Sequence, residues 1–179
     1  DAYEAGIFTE FQEQRSPGHT VLGDKIYHKG LTDLIKEVRL NLESLDYIND
    51  PEAFEKREEL TAMEIAARAL ISYANRYAVL LDEKAEAETN QERKKELLEM
   101  AQICRNVPAY APRTFHEALQ YYWFVHVGVI SEVNPWDSFN PGRLDQHLWR
   151  VYKQEKESGS LTDSFLYDLL GCFWVKFNN

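Results

Sequence analysis

Two places in this 179-residue chain hold residues that could do chemistry. The first is His19, which follows Pro17-Gly18 in turn-forming sequence. An unperturbed imidazole titrates near pH 6.5, so His19 could give a proton to a leaving group or contact a substrate. The alternative is a histidine on a surface turn. The second place is the stretch Asn134 to His147, bounded by proline and glycine and carrying Asp137, Ser138, Arg143 and Asp145. Acid, hydroxyl and guanidinium so close together suit a polar ligand, and loops held by rigid elements are where binding groups concentrate. The same set would also serve to tie the loop down through an Arg143–carboxylate pair. Asp145 near a helix start is favoured by the helix dipole alone.

The remaining candidates read as structural. His126 and His147 sit at helical positions beside apolar neighbours, as core or interface histidines do. His116 and His28 look solvated or capping. Cys172 reads as a small buried apolar residue, and buried thiols are inert. Cys104 lies near a helix C-terminus, away from the positive helix end that would activate it. No HExxH, GxGxxG, Walker loop or GxSxG occurs, so none of the chemistries those motifs carry is indicated.

The elements that must position these residues are helical. Leu31, Leu34, Ile35, Val38 and Leu42 recur at helical spacing between Lys29 and Leu45. Asp50-Pro51 is start chemistry, with Asp as N-cap and Pro at the first helical position. A long helix follows, with a stripe through Leu60, Met63, Ala67, Leu70, Ile71, Ala74, Tyr77, Ala78 and Leu81. The polar run from Glu83 to Glu92 reads as its solvated end or a bend. Another amphipathic helix covers Arg93 to Arg105. Pro108 and Pro112 force an extended stretch from Val107 to Pro112. Thr114 and Glu117 fit a capping box. The helix they open, to Ile130, is apolar nearly all round and is expected to need partners beyond this chain to bury it. A helix from Arg143 to Tyr152 follows. Thr162 caps a last one, with Leu166, Leu169, Leu170, Phe173, Trp174 and Phe177 facing inward. Asp1 to Gln14 is compatible with a short helix.

Composition sets outer limits. The chain is 44% apolar and 28% charged, as globular domains are. A net charge of −10 disfavours nucleic acid and anionic membranes as partners. No run approaches the roughly 18 apolar residues of a membrane span. Two distant cysteines make neither a disulfide framework nor a zinc pattern, which suits a reducing cytoplasm. A start at Asp1 and an end at Asn179 straight after an apolar helix suggest a piece of a longer protein.

Several motifs then occur in one order: Arg15-Ser16-Pro17-Gly18-His19-Thr20-Val21-Leu22, Lys56 to Leu60, Val107-Pro108-Ala109, Pro112 to Gln120, Asn140-Pro141-Gly142-Arg143-Leu144-Asp145-Gln146, and Cys172 to Asn179. This order resembles the glycyl radical enzymes of the pyruvate formate-lyase superfamily over essentially the whole chain, and within them the dehydratase branch. The resemblance implies a mainly α segment, residues 1–179, flanking the α/β barrel of that fold. It implies elimination of water from a small hydroxylated substrate, with trans-4-hydroxy-L-proline the best single guess. Glycerol or diol dehydration, or C–S, C–N or C–C cleavage, are the alternatives. His19 matches a histidine that bonds the departing hydroxyl, Phe11 an aromatic packing on the hydroxyproline ring, and Ser138 a serine near substrate hydroxyls. The family's cofactor is a glycyl radical installed by an activating enzyme that uses S-adenosylmethionine and an iron–sulfur cluster, with no bound metal expected. The chain holds no Cys-x-Glu pair and no glycyl-radical motif. The expected partners are therefore the substrate, the activating enzyme, the rest of a parent chain and a second copy in a homodimer. Alone, the segment is expected to be inactive. A reading from a different class is a stand-alone helical module that binds partners through its apolar helix.

Overall fold

The computed structural model describes residues 22–132 and 140–177. Among these, every regular element is helical. A short 3-10 helix at Lys25–Tyr27 leads into α1 (Leu31–Glu43), α2 (Ala53–Ala87), α3 (Gln91–Asn106), α4 (Phe115–Glu132), α5 (Leu144–Ser158) and α6 (Asp163–Lys176). The mainly α expectation holds for these residues. Its expected helix before Gln14 lies outside them.

The start of α1 is fixed from a distance. The first amides of a helix have no partner inside it. Here Leu31 N–H donates to Pro108 O at 2.8 Å and Thr32 N–H to Ala109 O at 3.0 Å. The Thr32 hydroxyl donates to the same Ala109 carbonyl at 2.6 Å. Gly30 makes this approach possible. A Cβ there would stand 2.2 Å from Ala109 O and 2.3 Å from Tyr110 Cα, and backbone cannot move aside. The Val107–Pro112 stretch is thus a turn built around a cis Val107–Pro108 bond, with its carbonyls facing α1.

Helix α2 begins two residues later than Asp50-Pro51 suggests. The Asp50 carboxylate accepts from Glu52 N–H at 3.0 Å and its carbonyl from Ala53 N–H at 3.1 Å, so Pro51 and Glu52 form a turn ahead of the helix. The helix then runs 35 residues, through the polar stretch where an end or bend was expected, because Ala85 still packs inward. Asn90 stops the run by capping α3, accepting from Glu92 N–H and Arg93 N–H. Ala74, Ala78, Leu81 and Ala85 meet Leu97, Ala101 and Cys104 of α3 in the core. Met63 and Tyr77, expected in the inward stripe, are exposed. Arg39 of α1 and Arg68 flank the Glu64 carboxylate at 2.8 and 2.7 Å, and Arg105 of α3 pairs with Asp82.

Much of the apolar helix α4 is buried by this chain itself, while Trp123, Val127, Val129 and Ile130 are half-buried. Phe115, Ala118, Leu119, Tyr121, Tyr122, Phe124 and Val125 are all at 5% exposure or less. The expectation that it needs outside partners is corrected for these buried positions alone, around which α2, α3, α5 and the 3-10 helix pack. Its capping box is also modified. Glu117 N–H takes the Thr114 hydroxyl, but the Glu117 carboxylate accepts from Arg113 N–H at 2.6 Å and pairs with the Arg113 guanidinium at 2.8 Å. Thr162 caps α6 as expected, its hydroxyl accepting from Phe165 N–H. Phe173 is buried there, whereas Trp174 is exposed.

Gly30→Ala should cost about 3 kcal/mol, the upper range for overpacking, and lower Tm by roughly 6–12 °C for a chain of this size. Thermal unfolding followed by circular dichroism checks this. Arg39 and Arg68 together hold the Glu64 carboxyl down to about 2 from its ordinary 4.5, by hydrogen bonds first and charge second. A depressed folded-state value stabilises above the ordinary value and is lost as pH falls through about 2. Acid titration should therefore show a loss of stability between pH 4.5 and 2 that Glu64→Gln removes.

Candidate functional site

In the described scaffold the elements that follow the two chemistry-bearing segments, the 3-10 helix and α5, pack against each other. Phe115 N–H, at the start of α4, donates to the Glu155 carboxylate near the end of α5 at 2.5 Å. The two helices therefore run antiparallel, and the end of α4 lies beside the start of α5. The 3-10 helix packs against both helices. Its Tyr27 carbonyl accepts from the Arg150 guanidinium at 3.0 Å, and the Tyr27 ring lies 5.2 Å from the His147 ring. Ile26 is fully buried beneath it. Leu22, three residues after His19, leads into the 3-10 helix, and Asn140, two after Ser138, leads into α5. His19, Phe11, Ser138 and Asp137 themselves lie outside the described residues.

The entries are locally specified. Leu22 and Gly23 have φ of 61° and 57°, both left-handed. That conformation costs a leucine roughly 1–2 kcal/mol, and it is held by the bond from Lys25 N–H to Leu22 O at 3.1 Å. At the other entry the Asn140 side chain accepts from Gly142 N–H at 2.8 Å. Arg143 and Asp145 do pair, at 3.6 Å, but both side chains are about 70% exposed (69% and 72%). An exposed pair contributes little, so Arg143 and Asp145 read as a local tie.

The histidines divide differently from their sequence reading. His126 is buried, as expected, with Nδ1 3.2 Å from the Tyr122 hydroxyl and its ring stacked on Trp123. Burial pushes its pKa down, so it favours the neutral form. His147 packs on Tyr27, and its Nδ1 is buried with no hydrogen-bond partner among the described residues; the same is true of the Tyr27 hydroxyl. His116 corrects its solvated reading. It is half-buried beside Phe165, and burial lowers its pKa against the opposing pull of Glu99 and Glu117. His28 is exposed.

The thiols show which chemistry these residues do not host. Cys104 is buried and its pKa is pushed up to about 11 by desolvation, so it stays a thiol. Cys172 is exposed, which corrects the buried reading. Neither is followed two residues later by a glutamate, and Cys172 leads into Phe173-Trp174. No group of three metal-ligating side chains occurs among the described residues. No described helix is long and apolar enough to cross a membrane.

With the geometry in place, comparison with known proteins is decisive for the family. The profile of the pyruvate formate lyase-like family matches residues 1–179. This chain belongs to the pyruvate formate lyase-like family. It is 52% identical to trans-4-hydroxy-L-proline dehydratase of Clostridioides difficile, over 99% of this chain and 23% of that protein. The crystal structure of hydroxyproline dehydratase from C. difficile with trans-4-hydroxy-L-proline bound superposes with a TM-score of 0.89, covering 99% of this chain and 22% of that one. Isethionate sulfite-lyase of Desulfovibrio desulfuricans is 38% identical over 85% of this chain and 18% of its own length. The chain thus spans about a quarter or less of these relatives. The helices seen here are a part of their fold.

Local sequence does not reveal that Tyr27, His147 and Arg150 anchor the 3-10 helix, because their contacts cross more than a hundred residues. The Tyr122–His126 pair was findable from its spacing of four, which places both on one helix face. Arg150→Met should free the Tyr27 carbonyl. Hydrogen exchange at Lys25 to His28 should then quicken by roughly 10- to 100-fold, the range for losing a charged hydrogen bond, with α2 and α3 unchanged. Equal protection in both proteins would show the anchor to be dispensable.

Proposed function

We propose that this chain is the helical flank and part of the substrate wall of a glycyl radical dehydratase, and that the parent enzyme eliminates water from trans-4-hydroxy-L-proline. The carrying observation is the 52% identity over 99% of the chain to a dehydratase of that substrate. The sulfite-lyase, at 38%, uses a related scaffold to a different end and is the second reading, C–S cleavage. The fourteen-point difference in identity favours dehydration. The reading as a stand-alone binding module loses much of its surface, because most of the large apolar residues from Phe115 to Val125 of α4 are buried within the chain.

In this reading the residues of the chain bind and protonate. Phe11 packs against the substrate ring, Ser138 lies near its polar groups, and His19 faces the 4-hydroxyl. As the C–O bond breaks, its electron pair leaves with oxygen. His19 supplies the proton that makes the leaving group water. A glycyl radical, installed by an S-adenosylmethionine iron–sulfur activating enzyme, supplies hydrogen abstraction from the substrate. The buried, un-ionised Cys104 and the exposed Cys172 do not suit the radical thiol, so that role is assigned to the parts of the parent enzyme outside this segment. The same holds for the base and the radical glycine. The segment alone is then inactive, one module of a larger cytoplasmic enzyme.

His19→Ala in the full-length enzyme should reduce turnover of trans-4-hydroxy-L-proline by about 10²- to 10⁴-fold, the usual contribution of a positioned proton donor. The glycyl radical signal in electron paramagnetic resonance should stay intact. Unchanged turnover would overturn the assignment.

A further inference from the structure

Helix α6 is apolar on more sides than the described residues cover. Between Ser164 and Val175 its one charged residue is Asp168. Leu166, Leu169, Leu170, Phe173 and Phe177 form one helical stripe and pack on the core. Tyr167, Gly171, Trp174 and Val175, at i, i+4, i+7 and i+8, share the other side. There Tyr167, Trp174 and Val175 are 73%, 53% and 66% exposed. Cys172 beside them is exposed as well. A helix apolar nearly all round is a buried helix, and a contiguous apolar patch in water marks a surface that another element covers.

Gly171 tells how closely that element comes. A glycine inside a helix is destabilising relative to alanine, so it has a local reason. The other glycine inside a described helix, Gly128 of α4, makes room for a neighbour: a Cβ there would stand 2.6 Å from Leu70 Cδ2 of α2. Gly30 makes room for the Ala109–Tyr110 backbone in the same way. At Gly171 a Cβ would meet nothing within 4 Å, and no left-handed φ calls for glycine. Neither backbone geometry nor a described neighbour accounts for it. An element seated against Gly171, with Tyr167 and Trp174 to one side and Val175 to the other, does.

We propose that this side of α6 is the seat of an apolar element of the parent chain that lies outside residues 1–179, packed backbone-close at Gly171. The proposal rests on the parent-chain reading above and is independent of the bond that the enzyme breaks. The helices of C. difficile hydroxyproline dehydratase superpose on this chain with a TM-score of 0.89, and more than three quarters of that chain lies outside the match, so the parent has ample chain to fill the seat. The occupant is apolar because the stretch from Ser164 to Val175 offers one carboxylate and no cation. A membrane surface would leave the notch at Gly171 unfilled, and the net charge of −10 opposes an anionic one. With the core on one side and this element on the other, α6 becomes an internal helix, as its composition requires.

The test uses the full-length enzyme with Tyr167 replaced by p-benzoylphenylalanine, a photoreactive side chain that bonds to the C–H groups it touches. Irradiation should give a cross-link within one chain, which keeps the mass of a single chain in a denaturing gel. Peptide mass spectrometry should place its far end outside residues 1–179. Gly171→Leu reads the close approach by sign. Leucine is the better helix former, so at a site open to water it raises Tm. Against a close neighbour it overpacks, and Tm should fall. The cross-link does not depend on that variant folding. Turnover of trans-4-hydroxy-L-proline by the unsubstituted enzyme is measured alongside, so that the seat can fail while the dehydratase reading stands, and the reverse. A cross-link to a peptide outside residues 1–179, with Tm lowered by Gly171→Leu, supports the seat. A cross-link inside residues 1–179 or to a second copy, no cross-link, or a Tm unchanged or raised by Gly171→Leu overturns it.

Discussion

Two amides at the start of α1 reach carbonyls 77 residues further along the chain, and the rest of the described structure hangs on that closure. Leu31 and Thr32 would otherwise leave unpaired donors at a helix start, which is costly when buried. Pro108 and Ala109 present their carbonyls from the turn that ends α3 and precedes α4. The bond therefore clamps α1 to the α3–α4 connection. Since α2 packs on both α1 and α3, the clamp also fixes the long helix between them. Gly30 is the one residue type that permits it, because any Cβ would meet backbone.

From that clamp the rest of the packing follows. The turn at Val107 to Pro112 sets where α4 begins, and the Phe115–Glu155 bond lays α5 antiparallel to it. The 3-10 helix then rests on both, through Tyr27, His147 and Arg150. Elements more than a hundred residues apart in sequence thereby pack against each other.

The distribution of apolar surface separates two helices. Helix α4 is more apolar, and most of its apolar residues from Phe115 to Val125 are absorbed by its neighbours. Helix α2 reads as amphipathic, yet its outer face keeps Val79 and Leu80 in solvent.

The sequence by itself determined most of the helices and the family. Asn90 and Thr162 stop and start helices through their own side chains, so their signals are local and legible. Gly159, with φ of 74°, ends α5 for the same reason. The co-linear motifs from Arg15 to Asn179 carried the family resemblance, and His19, Phe11 and Ser138 are substrate residues as that resemblance implies. What only the tertiary structure decided rests on distant contacts. The burial of α4, the half-burial of His116, the exposure of Cys172 and Trp174, and the anchoring of Tyr27 by Arg150 all depend on which helices become neighbours. Hydrophobic period tells which face of a helix is apolar, but not what covers it. That choice was made by the carbonyls of Pro108 and Ala109 meeting α1, an interaction between backbone groups that leaves no side-chain signature except the glycine that makes room for it.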